Sequence, residues 1–363
     1  MFKILNYYNP EWQKLIELYK LDIYFTPQYC KIWEEYGDGK SQAFFHESSL
    51  GKVLYPYLVR KIDFGKLNNN YFDISTPYGY GGPIFLDFDK QNLPLLIKDF
   101  RLEFATYAHE KKIICEFVRF HPIYKNHRFF LDSDIKCKFV RNTIKMNLAL
   151  KIEDILKNMN TSTRNNIRKA IKNELNVFFK VNPTLKDIKI FYKIYSETMN
   201  RLEAYDFYKF SFNFFLNTFT FLKENSELAF VCKEDNIISS TIFLFGNNIV
   251  HYHLGGSLEQ YLYLRPNNIM LYEVALKHKS MGKKYLHLGG GYRGNDSLYS
   301  FKKGFNKNGV LDFFIGAKIF DEKAYNLLVN KWRERNYLGK DFRSDFFPLY
   351  RLQINEKERQ INK

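Results

Sequence analysis

The tetrapeptide His-Leu-Gly-Gly occurs twice in this sequence, at His253–Gly256 and at His287–Gly290, each time closing a short apolar run. Between the copies, residues 267–280 carry helical periodicity, with Asn267 and Asn268 as caps and Gly282 just past the end. Strand, helix, strand in that order is a crossover unit, and its right-handed form brings both glycine-bearing ends to one edge of a sheet. Ligands of such sheets collect at the carboxyl ends of the strands, where backbone groups are not paired. Glycines there let a substrate come close to the main chain.

The first half has the same grammar. Residues 41–46 and 51–61 read as paired strands, the glycine- and tyrosine-rich loop Asp73–Pro83 follows, then a helix over 93–109 and a strand over 112–120. In the second half the order is strands at 228–233, 237–245 and 249–254, the 267–280 helix, and a strand at 284–288. A chain of 363 residues exceeds what one core usually holds, so two domains of similar plan are expected. The expected class is α+β with mixed sheets: an N-terminal domain over 1–160, a C-terminal domain over 161–335, and a basic tail over 336–363.

Charge adds a partner. Lys and Arg number 55 against 39 Asp and Glu, a net +16, which suits nucleic acid, an anionic membrane surface or a phosphate-rich small substrate. The excess gathers at Arg164–Lys172, Lys302–Lys307 and from Lys331 to Lys363. Arg164, Arg168 and Lys172 share one helix face, either as a solvated stripe or as a seat for phosphate. The tail reads as solvated or membrane-facing. With 36 Phe and 27 Tyr the chain can bury a large core, which excludes disorder as its main state. The start of the sequence lacks an apolar signal segment, no apolar run reaches the ~20 residues of a spanning helix, and Cys30, Cys115, Cys137 and Cys232 lack paired spacing. A cytoplasmic, reducing location is expected, with no metal or tightly bound cofactor.

Several residues could carry chemistry. Gly289–Gly294 fits a GxGxxG pattern, but the short lysine-rich segment after it does not suit a dinucleotide fold. His251 and His253 sit two apart on one strand; without a third ligand at recognisable spacing they read as a hydrogen-bonded pair or as substrate contacts. Lys302 stands among aromatic residues, as a surface lysine capping a short helix or as an electrostatic catalyst in a dry site. The markers of nucleophilic hydrolysis, zinc proteolysis and NTP hydrolysis are missing.

These pieces together resemble the FemABX branch of the GNAT acyltransferases. The resemblance rests on Asp73–Pro83, Arg164–Ala170, Asn200-Arg201 ahead of Tyr205, Tyr252–Ser257, Arg265–Asn268, His287–Gly291 and Ser300–Phe305, and spans roughly residues 25 to 320. It implies two tandem GNAT-like domains and an enzyme that moves an aminoacyl or acyl group onto an amine of a phosphorylated cell-envelope precursor, a muropeptide or a nucleotide- or lipid-linked aminosugar. It implies that Arg201 and Tyr205 contact the diphosphate-bearing acceptor. It places the Phe301-Lys302 pair at the transfer site, with Lys302 stabilising the negative intermediate. His251 and His253 fall where tyrosines line the acceptor channel in Fem enzymes, and Tyr78 and Tyr80 are further expected substrate contacts. Residues 260–268 lack the glycine-rich turn that holds coenzyme A pyrophosphate, though Arg265 and the helix start at Asn267 could still meet an anion. Aminoacyl-tRNA is therefore the favoured donor and acyl-coenzyme A its rival. A non-catalytic RNA- or membrane-surface module is the reading from another class.

Overall fold

The computed structural model describes residues 1–64, 70–292, 294–339 and 342–354. Its strands in chain order are β1 (Phe2–Leu5), β2 (Lys40–Ser48), β3 (Gly51–Lys61), β4 (Phe72–Ser75), β5 (Ile84–Leu86), β6 (Ile113–Arg119) and β7 (Lys136–Asn147). They continue with β8 (Leu175–Lys180), β9 (Ser226–Lys233), β10 (Asn236–Phe245), β11 (Ile249–Ser257), β12 (Tyr285–Gly290) and β13 (Val310–Ile319). The helices are α1 (Pro10–Leu18), α2 (Pro27–Tyr36), α3 (Leu93–Glu110), α4 (Ile152–Asn158) and α5 (Thr161–Lys172). After them come α6 (Leu185–Arg201), α7 (Phe212–Leu222), α8 (Pro266–Ser280), α9 (Ser297–Lys303) and α10 (Glu322–Arg335). No helix among the described residues is long and apolar enough to cross a membrane.

The chain divides into two compact units that are not its two halves. One holds residues 1–12, 37–139 and 314–363; the other holds 13–36 and 140–313. An even split near residue 160 is what the repeated strand order predicts. The observed division differs because each sheet takes its last strand from the other half of the sequence. In the first unit the end of β13 runs antiparallel to β6, pairing Ile315 with Arg119 and Ile319 with Cys115. In the second, β7 runs antiparallel to β12, pairing Asn147 with Tyr285.

Within the first unit β1, β2, β3 and β4 are antiparallel neighbours, and β4 is parallel to β6 across the α3 crossover. Helix α3 buries Phe100 and Phe104 against Phe44, Tyr55 and Tyr57 of the sheet. A second cluster joins α10, through Leu328 and Trp332, to Ile114 and Cys115 of β6 and to Leu338 and Tyr350. The expected tail is thus partly packed: Leu338 and Tyr350 are buried, while residues 343–346 are exposed. Trp332 Nε1 donates to the Leu352 carbonyl at 3.0 Å, and Tyr350 Oη and Arg351 Nε both donate to the wholly buried Asp73, at 2.8 and 2.6 Å. Aromatic residues spaced through a basic segment supply an apolar face that its charge count conceals. Residues 340, 341 and 355–363 of that segment lie outside the described residues.

The second unit follows the same plan. Strands β8 to β11 are antiparallel neighbours, and β11 is parallel to β12 across the α8 crossover. Helices α5 and α8 bury Ile167, Ala170, Ile269, Met270 and Val274 in one core with the sheet. Helix α6 lies on β11 so closely that a Cβ at Gly256 would come within 2.5 Å of Thr198 Oγ1 and 2.8 Å of the Ile194 carbonyl. That approach sets where Arg201, the last residue of α6, stands. Both units thus carry the antiparallel strands and parallel crossover of a GNAT fold, in tandem.

Candidate active site

The two parallel strands of the second unit separate at their carboxyl ends. Their ladder pairs Ile249 with Tyr285, Val250 with Leu286 and His251 with His287, and extends no further among the described residues. Each strand is irregular just beyond that point. Against β10, Ile242 pairs with Leu254 and Phe243 with Tyr252, leaving His253 as an extra residue in β11. Against β7, His287 pairs with Lys145 and Gly289 with Ile144, leaving Leu288 extra in β12. Bulges re-aim side chains and break pairing, and here they release two strand ends carrying five glycines, Gly255, Gly256, Gly289, Gly290 and Gly291. The two His-Leu-Gly-Gly copies stand at this opening two residues out of register, because His251, not His253, pairs with His287.

Lys302 fills the opening from below. Asp296 caps α9, its Oδ1 accepting from Tyr299 N–H at 2.9 Å, and Lys302 projects from the last turn of that helix. Only 6 % of Lys302 is exposed; its Nζ donates to the Gly290 carbonyl at 2.7 Å and lies 5.2 Å from the centre of the Tyr252 ring. The surface-lysine alternative therefore fails: the short helix turns this side chain inward. Burial pulls its ammonium down to about 7; the Asp296 carboxylate opposes that shift and Arg141 adds to it. Arg141 itself donates through Nη1 to the carbonyls of Gly291 and Tyr292, at 2.8 and 3.1 Å. Phe301 is half-buried and meets Phe305 edge-on at 5.4 Å, a packing contact.

The residues expected at the acceptor gather on the same unit. Arg201 Nη2 is 3.4 Å from the Ser257 carbonyl at the end of β11. Asn267 Oδ1 accepts from the hydroxyls of Ser257 and Ser239, at 2.9 and 3.0 Å, which ties the start of α8 to the strand ends. Tyr205 is exposed and stacks on Tyr292 with ring centres 5.5 Å apart, its N–H donating to Tyr292 Oη at 3.2 Å. Tyr292 N–H in turn donates to Asp296 Oδ2 at 2.6 Å. Tyr205 is thus linked through Tyr292 to Asp296, the cap of the helix that carries Lys302, while Arg201 meets the end of β11 at Ser257. Arg293, inside the glycine-rich segment, lies outside the described residues.

Under the split sits a buried polar chain. His251 Nε2 is 2.7 Å from Asp22 Oδ2, His251 Nδ1 is 3.3 Å from His287 Nδ1, and His287 Nε2 is 3.0 Å from Thr143 Oγ1. All four residues are at most 2 % exposed. His253 is edge-on to Tyr29 at 6.3 Å, and burial with His251 nearby pushes its imidazole down to about 3, so it is neutral at pH 7. Asp22 had no signature in the sequence, since 229 residues separate it from its histidine. Tyr292 could have been found as the only aromatic residue in the Gly289–Gly294 run.

Two expectations part from this arrangement. Arg164 is not a phosphate seat: its Nη1 donates to the carbonyls of Leu156 and Met159, at 3.2 and 2.6 Å, closing the end of α4. Tyr78 and Tyr80 belong to the first unit, in a loop held by Asn126 Nδ2 on the carbonyls of Gly81 and Pro83, with Tyr80 edge-on to His121 at 5.9 Å. At the α8 end, Arg265 is exposed in a left-handed conformation, φ 67°, and forms the N-cap. Its N–H donates to the Leu262 carbonyl, and Pro266 after it has no N–H. Two donors that a pyrophosphate-binding turn offers are spent or missing there.

The comparisons with known proteins agree with this geometry. Residues 159–303 match the family model of the acetyltransferase (GNAT) domain. Over the whole chain the fold is similar to that of FemX, with TM-score 0.68 and 14 % identity, covering 90 % of this chain and 99 % of the other. It is also similar to a conserved protein of unknown function from Bacteroides thetaiotaomicron, with TM-score 0.53 and 12 % identity over 80 % of this chain and 89 % of that one. The C-terminal domain of a putative lysylphosphatidylglycerol synthetase from Agrobacterium fabrum follows, with TM-score 0.50 and 11 % identity over 81 % and 88 %. No curated relative matches the sequence. Residues 159–303 thus match a GNAT acetyltransferase domain, set within a chain whose fold is like that of FemX.

Proposed function

We propose that this protein transfers an aminoacyl or acyl group from an activated ester or thioester to the amine of a phosphate-bearing cell-envelope precursor. The observation that carries the proposal is Lys302, an almost fully buried ammonium placed at the opening between β11 and β12. Attack by a neutral amine on the donor carbonyl puts negative charge on one oxygen. An ammonium in a dry, preorganised place stabilises that charge far better than one in water. A purely binding module has no use for a cation held in such a site at a cost in stability.

Arg201 and Tyr205 bind the acceptor in this reading, Arg201 through its phosphate and Tyr205 through the apolar part beside it. His251, fixed by Asp22, orients the strand end and takes no part in the chemistry. Aminoacyl-tRNA is the donor we favour, on the two donors missing at Arg265 and Pro266. Acyl-coenzyme A is the second reading, favoured by the matched acetyltransferase domain. Transfer of radiolabelled amino acid or acetate to an amino-sugar or muropeptide acceptor, with and without RNase, separates them. Loss of transfer on RNase treatment supports tRNA, full retention with acetyl-coenzyme A supports the second reading, and no transfer from either donor overturns the proposal.

A further inference from the structure

We propose that the first unit holds a second ligand site, for a phosphate group carried on an apolar body, in the basic cavity at Arg60 and Arg351. This inference is independent of the transfer reading. The cavity has a volume of about 830 Å³, within the size range of small-molecule sites. Its charged lining is Lys40, Arg60, Lys61, Lys111, Arg351 and a single carboxylate, Asp38; Val59 and Phe72 add apolar wall.

The two arginines are held in place by one buried acid. Arg60 Nε donates to Asp73 Oδ1 and Arg351 Nε to Asp73 Oδ2, each at 2.6 Å, and Asp73 is wholly buried. Two guanidinium groups on one carboxylate leave a surplus positive charge that cannot move away. Arg60 Nη2 is buried and has no hydrogen-bond partner among the described residues. Arg60 Nη1 stands 4.0 Å from Asp38 Oδ1, too far for a hydrogen bond, and burial raises the Asp38 carboxyl above its ordinary range. A fork already fixed in position gives up little entropy when it binds an anion. Lys40, Lys61 and Lys111 are exposed around it.

Charge chooses the ligand class. The five cations exceed Asp38 and Asp73 by three charges, so a dianion is matched better than a single carboxylate. Phosphate also offers three acceptor oxygens to forks and ammonium groups approaching from several directions. The apolar wall at Val59 and Phe72 favours a phosphate ester with a ring or alkyl part over the free ion.

The test is calorimetric titration of the full chain with phenyl phosphate, with phenol and benzoate as controls. Saturable binding of phenyl phosphate, no binding of phenol, and benzoate weaker by roughly tenfold or more are expected. The double variant Lys61→Glu/Lys111→Glu should weaken phenyl phosphate by at least about tenfold, whereas Lys186→Glu, at an exposed position in the other unit, should leave it unchanged. Should the double variant fail to fold, Lys40→Glu on the same exposed rim gives the same reading. The proposal is overturned by absent binding, by phenol binding as tightly as phenyl phosphate, by insensitivity to the rim variants, or by loss of binding in Lys186→Glu.

Discussion

Lys302 Nζ donates to the Gly290 carbonyl across 2.7 Å, so the cation of α9 is pinned to the strand end at which β12 leaves β11. The backbone oxygen compensates part of the burial cost without neutralising the charge, which keeps the ammonium available to a developing oxyanion.

Removing that group should cost rate and not binding. For Lys302→Ala we expect kcat to fall by roughly 100–1000-fold with the donor and acceptor KM within about threefold, the range seen when one oxyanion donor is lost. Steady-state kinetics check this; a parent-like kcat would remove Lys302 from the mechanism.

The pH profile should show the same lysine. With the ammonium as the working form and its ordinary 10.5 lowered to about 7, kcat/KM should decline on the alkaline side of about pH 7. Lys302→Arg keeps its charge throughout, so whatever activity it retains should lack that alkaline limb.

Stability carries the opposite sign from a stabilising ion pair. Between about pH 7 and 10.5 the folded chain binds fewer protons at Lys302 than the unfolded chain, so this group's contribution to stability rises with pH across that window. Its cost is fully present below about pH 7. Lys302→Met should therefore raise Tm at pH 6 by several degrees, with the gain fading toward pH 10 in thermal scans.

Acceptor recognition is separable from chemistry. Arg201→Ala should raise the acceptor KM by about tenfold or more while leaving donor binding unchanged, since a charge-assisted contact to phosphate is lost. An unaltered acceptor KM would place the phosphate elsewhere.

The buried chain under the site should act on stability. Asp22→Ala strips His251 Nε2 of its carboxylate partner in a place that is nearly dry, for about 1–3 kcal/mol in denaturant unfolding. A chain ended after Gly339 should also melt several degrees lower, because Asp73 would lose both Tyr350 and Arg351.

Much of the local structure was legible from residue order. Apolar periodicity located α3 and α8 to within a residue or two, and Gly51–Lys61 was read with the ends β3 has. Local rules suffice there because each element buries one face and is stopped by a nearby cap, turn or glycine. The Phe301-Lys302 pair and the Arg201–Tyr205 spacing were also visible as motifs, but their depth was not. A seven-residue helix can point a lysine outward or inward with the same spacing, and only the packing of α9 under β12 turns Lys302 in.

The sequence by itself determined the repeated strand and helix order, the glycine-bearing strand ends and the positive charge, all of which depend on neighbours within a few residues. Tertiary structure alone decided which strand closes each sheet, that Asp22 meets His251, that a basic segment buries Tyr350 beside Asp73, and that Arg164 caps a helix end. These choices join residues far apart in the chain, where burial and hydrogen-bond satisfaction over the whole unit outweigh any local preference.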